Sequence, residues 1–142
     1  MNIWFEQPSL EKLNASRSDT LVARLGICFT DIGDDYVKAT MPVDERTVQP
    51  FGLLHGGASV ALAETVASVG ANLCLDSSRQ IAVGMEINAN HVRSVRSGQV
   101  TAIARPAHLG RQSQVWLIEI NDEAGKLVCS SRMTASVLAR PA

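Results

Sequence analysis

Apolar positions along the chain follow two periods, and the switch between them predicts the order of elements. Pro8 and Ser9 before Leu10, Glu11, Lys12 and Leu13 predict a short helix, with Ser9 capping free backbone N–H groups and the two leucines on one face. From Leu21 to Met41 the pattern is strand-like: Ile27, Phe29 and the alternating Val37, Ala39 and Met41, split by the turn formers Gly33, Asp34 and Asp35, predict a hairpin. A loop from Pro42 to Leu54, with Pro50 and Gly52, delivers the chain to Gly56 and Gly57. Beyond them, Ala58 to Leu75 is rich in Ala and Leu and free of proline, which predicts one long helix. Four strands are predicted after Asp76-Ser77-Ser78: Ala82 to Val92, Gln99 to Pro106, Gln112 to Asn121 and Lys126 to Leu138, the last three as a meander. The order β-β-α-β-β-β-β predicts an α+β fold, one antiparallel sheet wrapped around a single central helix.

Composition narrows the classes of function. A chain of 142 residues has the length of one domain, spanning 1–142. Thirteen Lys and Arg against fourteen Asp and Glu leave a formal charge of -1, and only 4% of residues are aromatic, so a nucleic-acid platform of basic and stacking side chains is not expected. Cys28, Cys74 and Cys129 are odd in number and widely spaced, which argues against a disulfide framework and for a reducing cytoplasm. The first residues lack the basic and apolar regions of an export signal. The apolar run from Gly56 to Leu75 carries Glu64 at its middle, so no membrane span is expected.

Glu64 is the anomaly. A carboxylate within Ala61-Leu62-Ala63-Glu64-Thr65-Val66-Ala67 demands a partner or a task if buried; the other reading, a polar stripe facing water, has only Ser59, Thr65 and Ser68 for company. The second feature is Gln49-Pro50-Phe51-Gly52-Leu53-Leu54-His55-Gly56-Gly57, just ahead of the helix. Free N–H groups at a helix N-terminus attract negative charge, and glycines let a ligand oxygen approach them, although the same glycines suit a plain loop-to-helix turn. A polarised carbonyl plus a carboxylate is the minimum equipment for acyl transfer. Gly56 and Glu64 lie eight residues apart, about 12 Å along a helix axis, so one carbonyl cannot touch both. If both act on one carbon, the working unit is at least a dimer, with antiparallel helices side by side on a two-fold axis. His55, His91 and His108 lack metal-ligand spacing, so no metal is expected. His91, Arg93, Arg96, Arg105, His108 and Arg111 could hold the phosphates of a carrier nucleotide, or form an ordinary solvated sheet edge.

The stretch from Gln49 to Ser59, followed by Ala63-Glu64, resembles the signature of hotdog-fold acyl-CoA thioesterases of the PaaI type, and the match extends from Leu21 to Leu138. Gly84 to Ser94 and His108 to Arg111 narrow the resemblance to two sister families, the 1,4-dihydroxy-2-naphthoyl-CoA thioesterases of menaquinone synthesis and the proofreading thioesterases of enterobactin synthesis. Glu86 to Ser94 and Cys129 to Arg132 look more like the former, His108 to Gln112 more like the latter. The resemblance implies that Glu64 attacks the thioester carbon or activates water, and that the Gly56 N–H of a partner subunit polarises the carbonyl. Gln49 and His55 would orient thioester and water, with Ser68 assisting one turn beyond Glu64. Gly84, His91, Val92, Arg93 and Ser94, with His108, Leu109, Gly110, Arg111, Gln112 and Ser113, would bracket CoA. No cofactor is implied. The expected partners are an acyl-CoA, an acyl or aryl carrier protein, and copies of the chain itself as a dimer or dimer of dimers. An acyl pocket lined by Val60, Val69 and Leu73 would favour flat aromatic groups. Two other readings remain: a non-catalytic acyl-CoA-binding module, and a hydratase, which would need a His/Asp pair in place of a helical Glu.

Overall fold

Small residues on two strands let a helix lie close against a sheet, and this sets the architecture. In the computed structural model, which describes residues 1–141, α3 (Gly56–Leu73) packs along one face of a six-stranded antiparallel sheet. The strands are β1 (Cys28–Ile32), β2 (Val37–Pro42), β3 (Gln80–His91), β4 (Gln99–Leu109), β5 (Ser113–Asn121) and β6 (Leu127–Ala139), in the spatial order β1-β2-β4-β5-β6-β3. The β4-β5-β6 meander is as predicted, while β3 crosses over to pair with β6. Alternation delivers one apolar face: Val37, Ala39 and Met41 of β2, Val100, Ala102 and Ala104 of β4, and Trp116, Ile118 and Ile120 of β5 are all buried. Against them α3 turns Leu62, Ala63, Val66, Ala67, Gly70 and Ala71. A Cβ at Gly70 would lie 2.7 Å from the Trp116 ring, so this glycine is what admits the indole.

The strand-like reading from Leu21 is corrected: Leu21–Arg24 forms a short helix, α2. Gly26, at φ 72°, ends it, with its N–H donating to Ala23 O (3.0 Å) and that of Ile27 to Val22 O (3.0 Å). This is a Schellman stop, and Leu21, Ala23 and Arg24 ahead of it are good helix formers. The N-terminal helix α1 (Leu10–Ala15) forms as predicted, capped by Ser9. Ahead of it an unforeseen strap buries Trp4, which stacks on Trp116 at 6.5 Å and donates from its indole N–H to Gly33 O at 2.8 Å. Beneath, the buried Gln114 accepts from the Trp116 indole N–H (2.8 Å) and donates to Ala71 O (3.3 Å), so the polar atoms of this core are paired.

Candidate active site

The start of α3 is built by its loop. Thr47, 2% exposed, donates from Oγ1 to Pro42 O (2.7 Å), and its own carbonyl accepts the His55 N–H (2.8 Å). Between them the chain closes on itself through Gln49 N to Leu53 O (2.8 Å) and Gly52 N to Gln49 O (2.8 Å), with Gly52 at φ 78°. The Gln49 side-chain Oε1 accepts from the Phe51 N–H. That bond turns its amide nitrogen into a donor for something outside the loop.

His55 is the N-cap of α3, and its Nδ1 accepts from the Gly57 N–H at 2.8 Å. The remaining ring nitrogen therefore carries the proton of the neutral tautomer. Gly56, the first helical residue, has an N–H without a partner among the described residues. It opens, with Gln49, His91, Val92, Arg93 and Ser94, on a cavity of about 370 Å³. A Cβ on Gly56 would lie 3.0 Å from His91 Nε2. Two of the five expected catalytic residues and four of the expected CoA residues thus meet in one place.

Glu64 is elsewhere. It is half-buried, on the flank of α3 that faces β3, and it has no hydrogen bond or ion pair among the described residues. Glu64 thus falls between the two readings of it, full burial and a stripe facing water, because the sheet covers only one face of α3 and leaves this flank partly open. A Cβ on Gly84 would lie 2.5 Å from Glu64 Oε2, so the missing side chain at 84 is what lets the carboxylate lie over the strand. Ser68, one turn on, donates to Met133 Sδ at 3.5 Å. Along the outer face beyond it runs a groove of about 320 Å³ lined by Leu13, Ser68, Val69, Asn72, Leu73 and Ser77. Val69 and Leu73 of the expected acyl pocket line it; Val60 does not, and Leu13 of α1 was not foreseen.

The remaining expected CoA residues sit in the β4–β5 hairpin, where the Gly110 N–H donates to Ser113 O at 2.9 Å. Register locates them. Gly84 pairs with Ala135, which pairs with Gln114, so the hairpin is level with Gly84; His91 pairs with Cys129, six residues along β6 from Ala135. At about 3.3 Å per residue that is roughly 20 Å. Within one chain, therefore, the expected site residues fall into two groups, Gln49, Gly56 and His91 to Ser94 in one and Glu64, Ser68, Gly84 and the His108 to Ser113 hairpin in the other, while His55 lines a separate cavity with Leu21, Leu25 and Ala61.

Neither half offers a thiol nucleophile, because burial pushes Cys74 up to about 11 and raises Cys129 as well. Among the described residues, no three His, Cys, Asp or Glu side chains group as metal ligands. No helix of the described residues is long and apolar enough to cross a membrane.

A long helix against an antiparallel sheet, with a glycine-opened N-terminus and one mid-helix carboxylate, defines a hotdog thioesterase class. Residues 51–129 match the thioesterase superfamily, and the chain belongs to that family. It is 56% identical to the 1,4-dihydroxy-2-naphthoyl-CoA hydrolase of Escherichia coli (strain K12), over 96% of this chain and 99% of that protein. It is 54% identical to the proofreading thioesterase EntH of Cronobacter turicensis, over 96% and 98%. Among solved structures, a mutant of thioesterase PA1618 from Pseudomonas aeruginosa superposes with a TM-score of 0.97 at 49% identity, over 98% of this chain and 100% of that one. Thioesterase HI1161 from Haemophilus influenzae superposes with a TM-score of 0.94 at 53% identity, over 96% and 95%.

Proposed function

We propose that the protein hydrolyses aromatic acyl-CoA thioesters, of which 1,4-dihydroxy-2-naphthoyl-CoA is the type, to free acid and CoA at a site shared by two subunits. The observation that carries this reading is the division of the site along one helix and one edge strand. Gly56 stands beside His91 and Glu64 beside Gly84, and β3 has a neighbour on one side only. Antiparallel pairing of β3 with the same strand of a second copy brings Gly84 opposite His91 of the partner subunit, and so Glu64 to Gly56 of the partner subunit. Exposed Val83 (44%) and Met85 (67%) on that strand supply apolar surface for the contact.

The thioester carbonyl oxygen then accepts from the partner's Gly56 N–H, which stabilises the oxyanion as it forms. Glu64 either attacks the carbon, forming an anhydride that water opens, or takes a proton from the attacking water; in both cases the C–S bond breaks and CoA leaves as thiolate to be protonated. The free donors of Gln49 and His55 orient carbonyl and water, and Ser68 assists beside Glu64. His91 to Ser94 of one subunit and the His108 to Ser113 hairpin of the other bracket CoA, with Arg93 and Arg111 on its phosphates. The aromatic acyl group takes the groove beyond Ser68. A cavity of about 150 Å³ accommodates benzene, so 320 Å³ suits a two-ring group.

A second reading, hydrolysis of misacylated aryl carrier protein, is favoured by His108 to Gln112 and by the likeness to EntH. Thiol release from benzoyl-CoA, naphthoyl-CoA, a fatty acyl-CoA and an aryl carrier protein, measured side by side, decides. Fastest turnover of naphthoyl-CoA is expected; faster turnover of the carrier protein establishes the second reading. Tight binding without thiol release from any aromatic ester contradicts both and leaves a binding module.

A further inference from the structure

Asn72, one turn beyond Ser68, lines the acyl groove, yet every polar atom of its amide is turned to the backbone. Its Oδ1 accepts from the Ala82 N–H at 2.9 Å, and its Nδ2 donates to Ala82 O at 3.0 Å and to Ser68 O at 2.9 Å. One side chain thus treats Ala82 as a neighbouring strand would, taking both backbone groups that face the open edge of β3, while holding the carbonyl of Ser68 on α3. Two residues beyond Ala82 lies Gly84, the residue under the Glu64 carboxylate. The clamp therefore joins the helix that carries Glu64 to the strand on which Glu64 rests.

It also limits the edge. With Ala82 occupied, the stretch open to a second strand begins at Gly84. Further along, Val92 donates to Val128 O at 2.9 Å, so Val92 and, by alternation, Asn90 face β6, whereas Ala89 and His91 face outward. We propose that Asn72 is a positioning residue for thioester hydrolysis, fixing β3 against α3 so that Glu64 lies over Gly84 and a second copy pairs only along Gly84 to His91. This rests on the two-subunit reading above. Loss of the clamp frees β3 to shift by a fraction of its 4.8 Å strand spacing, and a misplacement of about 1 Å can cost on the order of a hundredfold in rate.

The opposite edge supplies the control. Asn14 makes the same pair of bonds to Phe29 of β1, both at 2.9 Å, on the strand at the other end of the sheet from β3. With naphthoyl-CoA as substrate, well below the melting temperature, Asn72→Ala is expected to lower kcat about ten- to a hundredfold with KM within about twofold, while Asn14→Ala keeps kcat. Asn72→Asp, which keeps an acceptor for the Ala82 N–H but sets a carboxylate oxygen against the carbonyls of Ala82 and Ser68, is the second variant and is expected to lose at least as much kcat as Asn72→Ala. An unchanged kcat in either Asn72 variant, or an equal loss in Asn14→Ala, overturns the proposal. A native enzyme that releases no thiol overturns the underlying reading instead, so the two failures are distinguishable.

Discussion

The sheet has two edges, and they are finished differently. On β1 the edge is short and bulged between Phe29 and Asp31, Asn14 takes both outward groups of Phe29, and Arg17 donates to Ile27 O. On β3 the edge runs for 12 residues, Ala82 alone among the described residues has both its backbone groups met by a side chain, and Val83 and Met85 stand exposed beyond it. A long open strand invites pairing with another chain, and proteins usually blunt such edges. Under the proposed two-subunit reading the open edge beside Glu64 takes a second copy, which puts stability at the β1 edge and chemistry at the β3 edge.

Four substitutions test that division, beginning with the largest effect. Glu64→Gln keeps shape but is neither base nor strong nucleophile, and should lower kcat by about 10²- to 10⁴-fold, measured by thiol release, with a CoA ester still bound. Ala89→Pro removes an outward N–H that β6 does not use, and proline is tolerated at such edge positions. It should convert the protein to monomers in sedimentation and lower kcat/KM by roughly a hundredfold or more, as loss of an oxyanion donor does. Gly84→Ala places a methyl 2.5 Å from the present position of Glu64 Oε2; the flexible carboxylate moves aside, and kcat should fall about tenfold with the melting temperature nearly unchanged. Asn14→Ala, at the blocked edge, should cost about 1–2 kcal/mol of stability in denaturant unfolding for its two lost hydrogen bonds, with kcat kept.

Much of this was legible in the sequence because it follows from local rules. The alternation at Val37, Ala39 and Met41, the meander turns and the proline-free helix gave the layers. The eight-residue spacing of Gly56 and Glu64 gave the argument for two copies before any coordinate. What stayed hidden depended on pairing between distant segments. Leu21 to Leu25 is too short for either period to show, and the Gly26 stop is a matter of backbone sign. Trp4 meets Trp116 across 112 positions of chain. The crossing of β3 to β6 set Gly84 level with the 108–113 hairpin, and no periodicity encodes such a crossing. Asn72 did carry a signal, an amide within an apolar helix, where such a side chain needs a backbone partner.

The central claim, that each site takes its carboxylate from one subunit and its amide from the other, is tested most directly by complementation. Gly56→Pro deletes the N–H at the first helical position, where proline is favoured, and His55 already has the extended backbone (φ -69°, ψ 131°) that proline requires before it. Each of Glu64→Ala and Gly56→Pro should be inactive alone. Co-expressed in equal amounts, they should recover about one quarter of native activity, because half of the dimers are mixed and each mixed dimer rebuilds one of its two sites. Recovery of no activity from mixed dimers of demonstrated composition would place both groups in a single chain and contradict the account.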